Sequence, residues 1–151
     1  MRLLLFLLAL PAFGQFRSIE MKFEGIGCAS CIESLPVRMQ RIRGVEAATV
    51  DATAGVLKVT LAEQNRVRIE QIRDSIEQDG TKARDARVSV RGELSKEGDR
   101  WMLKPAGVAS SYAVEGANAA AGNCTIDGAV TELRPSSGPL VIRATAVRKA
   151  E

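Results

Sequence analysis

Between Phe16 and Val90 the apolar residues switch twice from every second position to roughly every 3.6 positions and back, and this order of spacings constrains the fold most. In FRSIEMKFE (16–24) Ile19, Met21 and Phe23 alternate with polar residues, the mark of a strand with one buried face. Gly25 and Gly27 end it. Ile32, Leu35, Met39 and Ile42 then recur at helical spacing as far as Gly44, and Ser30 stands three positions before Glu33, so a capped helix is predicted from about Ser30. Pro36 falls inside that helix, where it costs about 3 kcal/mol unless the helix kinks. VEAATVDA (45–52) and GVLKVTLA (55–62) are strand-like runs joined at Thr53-Ala54 by a tight antiparallel connection. Val67, Ile69, Ile72 and Ile76 mark a second amphipathic helix, which Gly80 can end in the left-handed conformation. Ala83 to Val90 supplies a fourth strand. The order is βαββαβ, that of a ferredoxin-like α+β sandwich.

From about Arg91 the helical spacing disappears. Five short strand-like runs follow within the remainder: VSVRGEL, DRWMLKP, SSYAVEG, CTIDGAVTEL and PLVIRATAV. The expectation is a small antiparallel β-barrel of OB-like order, with Ala117 to Gly122 as a short helix or loop between its third and fourth strands. Only Trp101 and Tyr112 could serve as stacking platforms there, too few for a single-strand nucleic-acid groove, so Trp101 is read as core or rim. Arg66, Arg68, Arg84 and Arg87 are read as wet faces of a helix and a strand, and Arg148-Lys149 as a solvated tail.

The first residues, MRLLLFLLALPAFG, carry one arginine, a short apolar run and a small-x-small ending at Ala12-Phe13-Gly14, the layout of a secretory signal peptide. The expected organisation is a signal peptide over 1–14, a ferredoxin-like domain over 15–90 and the OB-like barrel over 91–151, in a periplasmic or secreted protein whose mature chain does not insert into a membrane. Cleavage after Gly14 removes one arginine and no acid, lowering the net charge from +3 to +2, a balance that argues against nucleic acid as the main partner. The chain has no histidine. Ser-His-Asp and Cys-His catalysis, histidine-ligated zinc or copper and histidine-ligated haem are thereby excluded, and the reading is that the protein is not an enzyme.

Three cysteines remain: Cys28 and Cys31 in GIGCASC at the start of the first helix, and Cys124 opening a later strand. On the residues alone the pair could be a metal clamp, a disulfide formed after export, a redox dithiol, or a relic on a fold that has lost tight binding. Burial as a small apolar residue suits Cys124, while a functional role would bring it to the pair as a third sulfur or a resolving thiol.

The stretch from about Ile19 to Val90 resembles the heavy-metal-associated domain family, the βαββαβ module of copper chaperones, heavy-metal pumps and the periplasmic mercury-binding protein. The resemblance rests on Gly25, Cys28, Ala29 and Cys31, on Gly44-Val45 after the first helix, and on Ile72, Ile76 and Gly80. Ile26 stands where members usually carry a core Met, and Gly27 where they carry Thr or Ser. The resemblance implies that Cys28 and Cys31 are metal ligands, and two soft thiolates without a nearby His or carboxylate suit Cu(I) or Hg(II) better than zinc. A helix N-terminus would favour the thiolate form, and Lys82 is the residue after the second helix that could add positive charge. The implied partners are the metal ion and a metal transporter or other metal-binding protein that receives it. A thiol-disulfide redox protein and an interaction module without metal are the alternative functions.

Overall fold

The computed structural model describes residues 15–25, 28–116 and 121–149. The 1–14 segment, Ile26, Gly27 and most of the Ala117–Gly122 connection, on which expectations were placed, lie outside the described residues.

Strand β1 (Phe16–Glu24) buries Phe16, Ile19, Met21 and Phe23 and exposes Arg17, Ser18 and Lys22, as its alternation predicts. The first helix is split into α1 (Ala29–Glu33) and α2 (Leu35–Gln40) at Ser34. Pro36 sits in the first turn of α2, where its missing N–H has no partner to lose, so the break accommodates the proline. The N-cap of α1 is Cys28; Ser30 is already helical, which corrects the capping box expected at Ser30 and Glu33. Strands β2 (Val45–Asp51) and β3 (Val56–Leu61) form a hairpin whose turn is held by Ala54 N–H donating to Asp51 Oδ1 at 2.9 Å. Helix α3 (Ile69–Glu77) buries Ile69, Ile72 and Ile76, and Gly80 follows it at φ +89°, where a side chain would be strained.

These elements give the sheet order β2-β3-β1-β4 with every pairing antiparallel, the ferredoxin-like arrangement. The apolar faces of α2 and α3 join the inward residues of β1 and β3 in one core, while Ser18, Lys22, Lys58 and Thr60 keep the opposite face wet.

Strand β4 (Lys82–Glu97) is far longer than the expected fourth strand. One of its edges pairs with β1 up to Val90 and then, from Glu93, with β5 (Arg100–Lys104). The partner changes at Gly92, where a Cβ would lie 2.7 Å from the Lys104 carbonyl oxygen and 3.0 Å from Pro105 N. Only glycine lets the incoming strand approach so closely. The other edge pairs with β7 (Gly122–Val130) from Ala86 to Leu94. With β6 (Tyr112–Glu115) and β8 (Val141–Lys149) the ring β4-β5-β6-β8-β7 closes back on β4.

Two expectations change here. The β6–β8 pairing is parallel, not antiparallel, because an odd number of strands in a closed ring cannot alternate throughout. The expected division between residues 90 and 91 falls inside β4, so both parts share a strand and a hydrophobic core in which Phe16 of β1 meets Tyr112 of β6 edge to face at 5.3 Å. Among the described residues no helix is long and apolar enough to cross a membrane.

Candidate metal site

Cys28 lies in extended backbone (φ −161°, ψ 147°) just before α1, and Cys31 is the third helical residue. Cys28 Sγ accepts the Cys31 backbone N–H at 3.1 Å, the position a serine or threonine oxygen takes in an ordinary N-cap. Ser30 Oγ is 3.3 Å from the same sulfur. This local geometry explains the spacing: a residue before a helix and one three positions on face each other across the first turn. Their Cα atoms are 5.3 Å apart and their sulfurs are joined as a disulfide. Both side chains are partly exposed, so the pair is reachable by a reductant or an ion. Once reduced it would present two soft donors on one side of the loop, a set that fits a thiophilic ion of low coordination number. Among the described residues no third Cys, Asp or Glu joins the pair to form a metal-holding cluster.

Lys82 is exposed at the start of β4, opposite Glu24, and Glu24 itself pairs with Arg84. The cation that reaches the cysteine segment is Arg38 of α2. Its Nη2 donates to the Cys31 carbonyl at 3.4 Å and to Asp79 Oδ2 at 2.7 Å, and its Nη1 donates to the Ser75 carbonyl at 3.0 Å. Burial pushes the Asp79 carboxyl up, but the bonds from Thr81 and Arg38 outweigh it and hold the group below its ordinary 3.8. The available signal was the spacing of Arg38 seven residues after Cys31, two helical turns on the same face, which a search for ligands passes over.

Cys124 does not join the pair. On β4 the cysteine loop is level with Lys82, which pairs with Glu24, whereas Cys124 is level with Gly92, ten residues further on, roughly 30 Å along an extended strand. It is buried at 2% exposure, and burial pushes its thiol up, the condition of an inert core cysteine. A cleft of about 640 Å³ lined by Arg43, Gln64, Arg66 and Gln71 lies near the α2–β2 turn, and none of the three cysteines lines it.

No protein-family model matches the chain, and no curated protein matches it. Among solved structures it is similar to a CopZ metallochaperone, with 26% identity over 44% of this chain and 97% of that one and a TM-score of 0.40. It is also similar to a copper-binding domain from HMA7, a P-type ATPase, with 30% identity over 44% of this chain and 89% of that one at a TM-score of 0.40. A third is the yeast copper transporter domain Ccc2a, solved in apo and Cu(I)-loaded states, with 21% identity over 44% of this chain and 90% of that one at the same TM-score. The structural neighbours are heavy-metal-associated copper chaperone and ATPase domains, and Cys28 with Cys31 fits a CxxC motif.

Proposed function

We propose that this chain is an exported carrier of a soft metal ion, Cu(I) or Hg(II), which Cys28 and Cys31 take up as a dithiolate and pass to a transporter or another metal-binding protein. The observation that carries the reading is the placement of two reachable sulfurs across one helical turn at the end of a ferredoxin-like sheet. A two-sulfur site leaves the ion open to attack by an incoming thiolate, and stepwise exchange then moves it without releasing it to water. Reduction of the disulfide must precede loading, since only the thiolate is a ligand. In this reading residues 15–90 are the metal-carrying part, the ring completed by β5 to β8 is an OB-like support, and residues 1–14 direct export.

Anaerobic titration of the reduced protein with Cu(I) and with Hg(II) against a competing chelator tests it. The expected result is one tightly held ion, lost in Cys28→Ser/Cys31→Ser and retained in Cys124→Ser. Binding no tighter than that of the double variant removes the proposal. The disulfide itself favours a second reading, a thiol-disulfide redox protein. That reading requires turnover in an insulin-reduction assay that disappears on Cys31→Ser.

A further inference from the structure

We infer that Arg38 is the positioning residue of the cysteine pair: through one guanidinium it holds the segment that presents Cys31 against the C-terminal end of α3. This rests on the metal-carrier reading only for its effect on metal affinity. Helix α1 has five residues, too few to be stable alone, and buries only Ile32. Its register against the rest of the molecule must come from outside. The Cys31 carbonyl receives Ser34 Oγ at 2.8 Å from within the same segment and Arg38 Nη2 at 3.4 Å from α2. Arg38 in turn is fixed by α3 and the turn after it, through the Ser75 carbonyl and Asp79. Asp79 also accepts Thr81 N–H at 3.2 Å, which anchors it at the start of β4. Cys31 is thus tied by a chain of hydrogen bonds to an element on the far side of the sequence. The Arg38 side chain is only 18% exposed, and its guanidinium serves three acceptors. A lysine in its place keeps the charge but, as a point donor on a flexible stem, cannot hold all three in one plane.

The consequence falls on both chemistries of the pair. In exchange with glutathione, two glutathione thiols reduce the Cys28–Cys31 disulfide, releasing one glutathione disulfide and leaving two protein thiols; two electrons and two protons pass to the protein. A segment held in register keeps the sulfurs close and favours the disulfide over the dithiol. The same closeness favours two-sulfur capture of an ion. Releasing the tether should weaken both together.

The test compares wild-type protein with Arg38→Lys and with Ile126→Val, a conservative trimming in the core of the ring that leaves the cysteine segment untouched. Each is equilibrated with glutathione buffers at pH 7 and titrated with Cu(I), and its thermal midpoint is recorded. Arg38→Lys is expected to shift the disulfide equilibrium about three- to tenfold toward the dithiol and to weaken Cu(I) binding by a similar factor, with Ile126→Val changing neither. If Arg38→Lys lowers the midpoint yet leaves the glutathione equilibrium at the wild-type value, Arg38 is a structural residue and the inference fails. If the glutathione equilibrium shifts while wild-type protein binds Cu(I) no better than Cys28→Ser/Cys31→Ser, the positioning role stands and the metal-carrier reading falls.

Discussion

Asn65 shows how much one polar residue can organise. It is 4% exposed, and its amide donates to the Phe16 and Ala62 carbonyls at 2.8 Å each while its Oδ1 accepts Val67 N–H at 3.0 Å. One side chain therefore closes the turn before α3 and pins it to the first residue of β1. Asn65→Ala leaves these buried backbone groups without partners and is expected to cost about 2–3 kcal/mol in urea unfolding. Asp79 gives a pH signature. Its carboxyl is depressed in the folded protein, so as pH falls the unfolded chain takes up this proton first. Its contribution is complete above its unfolded value of about 4 and is lost as pH falls through the lower folded value. The urea midpoint should decline across that acid range, and Asp79→Asn should flatten the decline while lowering the midpoint at neutral pH. Neither role could be read from an Asn or an Asp in a polar stretch, because each depends on carbonyls and a guanidinium brought from distant positions.

At the scale of elements, local rules read well where a pattern repeats within one element. Alternation located β1 and β3, helical spacing located α3, and Pro36 and Gly80 marked a break and a stop. What alternation could not locate was the end of β4. Its residues keep a strand pattern through position 90 and beyond, and a change of partner leaves no trace in the spacing. Gly92 is the trace that existed, a glycine inside an alternating run, which signals close backbone approach. Gly92→Ala should meet the Lys104 carbonyl and destabilise by at least about 1–3 kcal/mol, with the damage at the β4–β5 pairing visible as lost hydrogen-exchange protection from Glu93 to Glu97. An unchanged urea midpoint would mean that β5 can withdraw without penalty. The site followed the same division. The two cysteines and their place at the start of a helix were legible because the first turn is local, whereas the Cys28 cap and the bonds that fix Arg38 to Ser75 and Asp79 emerged only in the folded structure.

For the whole molecule, one shared strand and one core make separate unfolding of the two parts costly. Among the described residues the helices all lie before residue 78, and the single tryptophan, Trp101, lies in β5 of the ring. Loss of helical circular dichroism and the change in Trp101 fluorescence are therefore expected to coincide in urea; two separated midpoints would show that β4 can serve each part alone. The bonds across the junction support one transition: the Tyr112 hydroxyl donates to Glu70 Oε2, Arg73 donates to the Leu133 carbonyl, and Arg134 pairs with Glu77. The sequence by itself determined the order of strands and helices, the buried faces of those it placed and the position of the cysteine pair at a helix start, since each follows from neighbours within a turn or a strand. Only the tertiary structure decided that β4 is shared by the ferredoxin-like part of the sheet and the ring, that the five-strand ring must contain a parallel pair, that Cys124 is remote from the other cysteines and that Ser75 and Asp79 fix Arg38. Those depend on which edges meet and which side chains then lie within a few ångströms, and chain spacing carries no record of either.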